Sequence, residues 1–125
     1  MDLVYGIGTI VVSIFPCDSG CNTEFIDPSL SQVIHNLAAL LIYTFVPISI
    51  IATGIGLKKF SNYRSLSIIA LVLGVLSILF VSILISELNP EFGGLYQRII
   101  ETLILIWIIA CALKIKRTTG NKELR

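Results

Sequence analysis

A short polar stretch between two apolar segments holds two of the three cysteines in this chain and a carboxylate, side chains that could do chemistry. It covers residues 15–21, with the sequence FPCDSGC, and contains Cys17, Asp18 and Cys21. His35, the only histidine, lies near the beginning of the apolar segment that follows. Thiols, a carboxylate and an imidazole at this spacing could form a disulfide, hold a metal ion or bind a polar ligand.

The two cysteines of this stretch predict a short-range disulfide if the loop faces an oxidising compartment. Ser19 and Gly20 lie between them and let the chain close so small a ring within the usual Cα separation. The bond could be a structural staple or a redox-active pair, and two free thiols are the third alternative. The spacing Cys-x3-Cys differs from the Cys-x2-Cys of thioredoxin-type sites, which disfavours redox chemistry. Cys111, far along the chain, is interpreted as a small packing residue.

Metal binding is not expected from these residues. A lone histidine needs thiolates or carboxylates to complete a zinc site, and those near His35 are only Cys17, Cys21 and Asp18. We therefore predict no metal and no cofactor, and interpret His35 as hydrogen-bonded to a neighbouring helix or loop. An ionisable residue at membrane depth nevertheless remains a candidate for a functional site.

Two charged residues at the start of the last apolar segment form a second candidate cluster. Arg98 and Glu101 are three residues apart, so they share one face of a helix. Because a carboxylate at membrane depth is costly unless it is paired, we interpret the two as a structural ion pair. The alternative is one outward-facing polar pocket that binds a ligand. Its candidate residues are Asp18, His35, Arg98 and Glu101.

The composition predicts a membrane protein. Of the 125 residues, 55% are hydrophobic and 14% are charged, whereas soluble domains carry about 25% charged residues. So short a chain has too little interior to bury this much apolar surface, so lipid must solvate much of it. The net charge is +1 and the basic residues are scattered, which excludes a nucleic-acid-binding protein.

The apolar segments predict an all-α membrane protein, a bundle of four transmembrane helices of which the first is short. The segments cover residues 3–15, 32–56, 66–86 and 95–115, in a helical domain of residues 1–117 with a polar cytoplasmic tail at 118–125. The first segment would be about 20 Å long as a helix, against roughly 30 Å of hydrocarbon. A cleaved signal peptide is the alternative for this segment, although Asp2 stands where such a peptide carries basic residues.

Local signals refine these helices. Pro16 should end the first helix, Ser29 or Ser31 should cap the second, and Pro47 should kink the second. Two small-or-polar faces at helical spacing predict close helix packing in lipid. The face on the second helix consists of His35, Ala38, Ala39, Ile42, Ser49, Ala52 and Gly56. The face on the third helix consists of Ser67, Ala70, Gly74 and Ser77.

The charges between the segments predict the topology. Loop 58–64 has three basic and no acidic residues, and residues 114–125 at the C-terminal end have five basic residues and one acidic residue. Loops 16–31 and 87–93 together hold five acidic residues and no basic one. Because Lys and Arg stay on the cytoplasmic side, both termini should be cytoplasmic and both acidic loops outside, most simply in the plasma membrane.

Several of these residues, taken in order, resemble the integral-membrane family called domain of unknown function 998. The resemblance lies in FPCDSGC at 15–21, in His35 followed by Ala38, and in GLYQR at 94–98 leading to Trp107. It implies that Asp18, His35 and Arg98 are a polar signature of the family. Members have further helices before this stretch, so the resemblance also implies an N-terminally shortened member.

No reaction follows from these residues, and an enzyme is not the favoured class. The leading hypothesis is a multi-pass membrane protein that binds a lipid headgroup or a small ligand in the outward-facing pocket. One alternative is a membrane thiol–disulfide oxidoreductase, which would need a second cysteine pair. The other is a structural or assembly subunit, partnered by a second membrane subunit or by copies of itself.

Overall fold

The structure, a computed structural model, describes residues 2–21, 26–86 and 92–123. Within these ranges all regular secondary structure is helical, which confirms the predicted all-α class with a short first helix. The α-helices are α1 (Asp2–Ile14), α2 (Leu30–Leu57), α3 (Arg64–Ile85) and α4 (Gly93–Glu123). Short 3₁₀ turns at Ser19–Cys21 and Ser61–Tyr63 precede α2 and α3. Three of the acidic residues on which the predicted topology depends lie outside the described residues: Glu24, Glu87 and Glu91.

The chain divides into two compact units, Met1–Val46 and Pro47–Arg125, which we call the first and the second unit. The division falls at Pro47, where α2 lacks one backbone donor although its helix continues to Leu57. The first unit holds α1 and the beginning of α2. The second unit holds the remainder of α2 together with α3 and α4.

In the first unit, α1 and α2 form an antiparallel hairpin. The end of α1 meets the start of α2, since His35 contacts the carbonyl of Phe15. Further along, Gly8 lies against Ile42, and a Cβ on this glycine would come within 2.6 Å of the isoleucine side chain. The missing side chain therefore lets the two helices approach closely at this level.

In the second unit, α3 packs on the end of α2 through the predicted small-residue face. All four residues of that face, Ser67, Ala70, Gly74 and Ser77, are buried, so this prediction is confirmed. Ser67 donates its hydroxyl to the carbonyl of Gly54 at 2.7 Å. A Cβ on Gly74 would lie 2.5 Å from Ile51 Cγ1, so only glycine fits this crossing without movement.

The second unit also contains the α3–α4 hairpin. The rings of Phe80 and Tyr96 lie 6.4 Å apart near one end. At the other end, Lys114 Nζ donates to the carbonyl of Asn62 at 2.7 Å and lies 5.0 Å from the centroid of the Tyr63 ring. Residues late in α3 therefore contact residues early in α4, and residues just before α3 contact residues late in α4. The two helices are antiparallel and in a fixed register.

The small-or-polar face predicted on α2 is wrong in its second half. Ala52 and Gly56 are exposed, while Pro47, Ile50 and Gly54 are buried. The predicted face assumed that one helical spacing of small residues continues across Pro47. The buried residues instead keep a spacing of three and four that starts at Pro47 itself.

Large apolar side chains remain exposed along every helix, among them Leu3, Leu40, Val75 and Ile109, each more than half exposed. Among the residues that the structure describes, two stretches are long and apolar enough to cross a membrane, Leu30–Leu57 and Ser61–Ile85, and the short apolar helix Leu3–Ile14 precedes them. Exposed apolar surface on helices of this length is typical of proteins that lipid surrounds. These helices therefore indicate a membrane protein.

Candidate functional site

The polar stretch after α1 folds back on the start of α2, and we call this assembly the knot: residues 15–21 with Ser29, Gln32 and His35. Cys17 and Cys21 form a disulfide with Cα atoms 4.9 Å apart, as the sequence predicts. The chain can make so short a loop because Gly20 has a φ of 71°, a conformation that glycine adopts without steric cost.

Asp18 binds the N-terminus of α2. Its Oδ2 accepts the backbone N–H of Ser29 at 3.0 Å, and its Oδ1 accepts the hydroxyl of the same residue at 2.6 Å. Ser29 in turn caps the helix, since its Oγ accepts the N–H of Gln32 at 3.1 Å, as predicted for this position. Ser31 does not share that role, because its hydroxyl donates to the carbonyl of Pro16.

Gln32 is the residue at the centre of the knot. Its side chain is fully buried. Its Oε1 accepts the backbone N–H of Asp18 at 2.7 Å, while its Nε2 donates to the carbonyl of Cys21 at 3.2 Å and to Asn36 Oδ1 at 2.8 Å. One amide group thus satisfies two backbone groups of the loop.

The start of α2 resembles a capping box in which one partner has been exchanged. In a capping box, Ser at the cap and Gln three residues later satisfy each other's backbone N–H groups. Here Asp18 accepts the N–H of Ser29, so the side chain of Gln32 is released to bind the loop. The exchange joins the helix cap and the disulfide loop into one hydrogen-bonded unit.

His35 closes the end of α1. Its Nδ1 lies 2.9 Å from the carbonyl oxygen of Phe15, and because a carbonyl only accepts, Nδ1 must carry the proton. The imidazole therefore satisfies one of the carbonyls that a helix C-terminus leaves without an intrahelical partner. This agrees with the interpretation of His35 as a histidine bonded to a neighbouring segment.

These contacts limit what the knot can do chemically. Both carboxylate oxygens of Asp18, the whole amide of Gln32 and one nitrogen of His35 bind the protein itself. Within the described ranges, no three side chains of the metal-binding types are grouped closely enough to hold an ion. These contacts make the knot a clamp between the end of α1 and the start of α2.

The other two residues of the predicted pocket lie in the second unit. Arg98 is exposed and Glu101 is half-buried, both in the first turns of α4. The convergence of Asp18, His35, Arg98 and Glu101 in one pocket stays a prediction, as does the ion pair. Cys111 is half-buried in α4, in the unit that does not hold the disulfide.

An apolar groove between α1 and α2 begins within one turn of the knot, and we call it the hairpin groove. Its volume is about 370 Å³. It is lined by Leu3, Val4, Ile7, Gly8, Val11, Ile34, Leu37, Ala38, Leu41 and Ile42. His35 shares a helical face with Ala38 and Ile42, so the hydrogen bond from His35 to Phe15 lies at the end of this face.

Sequence reasoning missed Gln32 and the hairpin groove. The signal for Gln32 was the polar series Ser29, Gln32 and Asn36 at helical spacing on the first turns of an apolar helix. The signal for the groove was Gly8, which stands among larger apolar residues in α1.

One protein family matches the chain over nearly its whole length. The family described as "Protein of unknown function (DUF998)" matches residues 3–114, a range that includes the knot, the hairpin groove and most of α4. No significant match was found among curated proteins or among solved structures. Because the match covers far more than half of the 125 residues, the chain belongs to the DUF998 family.

Proposed function

We propose that this protein is a non-enzymatic, multi-pass membrane protein that binds one acyl chain of a lipid in the hairpin groove. The knot would hold the groove open at the outer surface of the membrane. Both termini would then be cytoplasmic, with four helices crossing the plasma membrane. The two apolar stretches of 28 and 25 residues and the alternation of loop charge support this topology.

The observation that carries the proposal is the composition of the groove. All ten residues that line it are apolar or glycine, and in the proposed topology lipid would surround this helix pair. Its volume of about 370 Å³ lies within the range of pockets that hold small ligands, about 300–1,000 Å³, which is enough for a segment of an acyl chain. Water in so apolar a site would lack hydrogen-bond partners, so a hydrocarbon chain is the favoured occupant.

The headgroup of that lipid would lie near the knot. The loop of residues 16–31 carries acidic residues and no Lys or Arg, so its charge favours an amine-bearing headgroup over a purely anionic one. His35 presents its second nitrogen as an acceptor in the neutral form, because Nδ1 holds the proton. This narrows the ligand hypothesis to zwitterionic lipids such as those with ethanolamine headgroups.

A bulky apolar side chain inside the groove tests the proposal. Ala38 is half-buried and lines the groove, so Ala38→Phe should fill part of it without adding a polar group. Ala52→Phe is the matched control, since Ala52 is exposed on the same helix and lies in the second unit. Lipid bound to the purified full-length protein in mild detergent is counted by native mass spectrometry.

We expect the wild type and Ala52→Phe to retain one phosphatidylethanolamine per chain. Ala38→Phe should lower the affinity for this lipid by at least about tenfold, because the ring occupies the place of several methylene groups, each worth about 0.8 kcal/mol. Equal retention by Ala38→Phe and Ala52→Phe would refute the groove as the binding site. A wild type that keeps no lipid would refute the proposal as a whole.

A further inference from the structure

We propose that a second groove, between the start of α3 and the last turns of α4, binds an anionic phospholipid. It lies entirely within the second unit and has a volume of about 270 Å³. We call it the basic groove. It is lined by Ser65, Leu66, Ile69, Ala110, Leu113, Lys114 and Arg117.

The groove changes from apolar to polar along its length. Its wall consists of Leu66, Ile69, Ala110 and Leu113. Its rim consists of Ser65, Lys114 and Arg117. Ser65 is nearer the start of α3 than Leu66 and Ile69 are. Lys114 and Arg117 are nearer the end of α4 than Ala110 and Leu113 are. Because the two helices are antiparallel, the polarity changes in the same direction on both. A phospholipid has the same sequence of parts, with its phosphate at the interface and its acyl chains deeper.

The charge around the rim has a single sign. Lys58, Lys59 and Arg64 line an adjoining surface cavity of about 580 Å³. Neither residues 57–69 nor residues 110–118 contain Asp or Glu, and the first turn of α3 holds no acidic residue that would offset its helix dipole. These residues would therefore attract an anionic headgroup, whereas a zwitterionic one would gain less.

Lys114 at the rim is positioned by contacts within the protein itself. Lys114 joins α4 to the turn before α3 through the carbonyl of Asn62 and the ring of Tyr63. An ammonium group has three N–H donors, so this one bond to Asn62 leaves donors for a phosphate. Arg117, one turn later on the same face, is exposed and supplies a guanidinium suited to phosphate oxygens.

The apolar wall favours a lipid over free phosphate. A soluble anion would use Ser65, Lys114 and Arg117 only, and it would leave the four apolar wall residues to other contacts. A phospholipid covers both parts of the groove at once. This proposal does not depend on the hairpin groove, because it uses other helices and a headgroup of different net charge.

The test titrates the purified full-length protein with phosphatidylglycerol and with phosphatidylcholine of the same acyl chains, and bound lipid is counted by native mass spectrometry. We expect the wild type to bind phosphatidylglycerol at least about fivefold more tightly than phosphatidylcholine. Arg117→Gln should remove about that factor, since one Lys or Arg near a lipid surface contributes about fivefold to the affinity. Arg117→Lys, which keeps the charge, should retain most of the preference.

Lys116→Gln is the matched control. Lys116 is exposed and adjacent in sequence to Arg117, but it does not line the groove. Equal losses in Lys116→Gln and Arg117→Gln would show a diffuse surface charge and overturn the proposal. So would a wild type without preference, or displacement of phosphatidylglycerol by inorganic phosphate beyond that by chloride at the same ionic strength. Ala38→Phe should leave this preference unchanged, which separates this test from that of the hairpin groove.

Discussion

Replacing the buried glutamine of the knot should loosen the loop between α1 and α2 without unfolding the helices. The substitution Gln32→Ala removes the acceptor for the N–H of Asp18 and the donor for the carbonyl of Cys21. It also removes the bond to Asn36, which is exposed and can bind water instead. The two backbone groups of the loop are therefore the ones that determine the energetic cost.

The magnitude follows from the burial of those two groups. A net hydrogen bond contributes about 1 kcal/mol, and a fully buried group left unpaired costs about 1–3 kcal/mol. Asp18 and Cys21 are only half-buried, so water can reach them in part and the lower figure applies to each. We expect a local loss of about 2 kcal/mol, which raises the population of the open loop roughly thirtyfold.

Hydrogen–deuterium exchange of the peptide that covers residues 15–21 measures this opening. We expect exchange at the Asp18 amide to be about thirty times faster in Gln32→Ala, with exchange in α3 unchanged. Gln97→Ala, at a half-buried glutamine of α4, is the matched control and should leave the loop unaffected. Gln32→Glu keeps the acceptor but places a carboxylate oxygen against the carbonyl of Cys21 and Asn36 Oδ1 at a fully buried position, so its rate should be at least as fast as that of Gln32→Ala. A change below threefold in Gln32→Ala would refute the role of this residue in the knot.

Three further tests probe the helix packing and the knot, and each measures a change in unfolding temperature in detergent. Gly74→Ala should destabilise the protein by about 1–3 kcal/mol, because its Cβ would lie 2.5 Å from an atom of α2, while Gly56→Ala meets nothing within 4 Å and should be neutral or slightly stabilising. The double change of Cys17 and Cys21 to Ser should cost about 2 kcal/mol through the entropy of the opened ring, with lipid binding retained. His35→Ala should cost about 1 kcal/mol through the lost bond to the end of α1. Equal unfolding temperatures for Gly74→Ala and Gly56→Ala would contradict the close packing at Gly74. Loss of lipid from the double serine variant would contradict a structural role of the disulfide. An unchanged unfolding temperature for His35→Ala would contradict the stabilising bond to Phe15.

The helices could be predicted from the sequence because their signals are local. Apolar runs bounded by charged or turn-forming residues placed all four α-helices, and each predicted start lies within two residues of the observed one. The face of α3 was predictable because four small residues recur at helical spacing and must lie against a neighbour. The α4 helix continues to Glu123, so its backbone remains helical beyond the predicted apolar segment.

The arrangement of the site was less predictable, because its bonds join residues that are far apart in sequence. Asp18 and His35 were identified by residue type, but their partners lie 11 and 20 residues away. Gln32 carries no charge, so its residue type gave no signal, although its side chain makes three hydrogen bonds in the knot. Residue type indicated where polar groups gather, whereas only the folded hairpin shows that they bind one another.

The proposed membrane topology is most directly tested by finding the side of the membrane on which the C-terminus and the loop after α1 lie. A protease tag after Arg125 and a second tag inserted between Glu24 and Phe25 are compared in sealed, intact cells. We expect added protease to cleave the inserted tag and to leave the C-terminal tag intact until the membrane is opened. Cleavage of the C-terminal tag in sealed cells would contradict it.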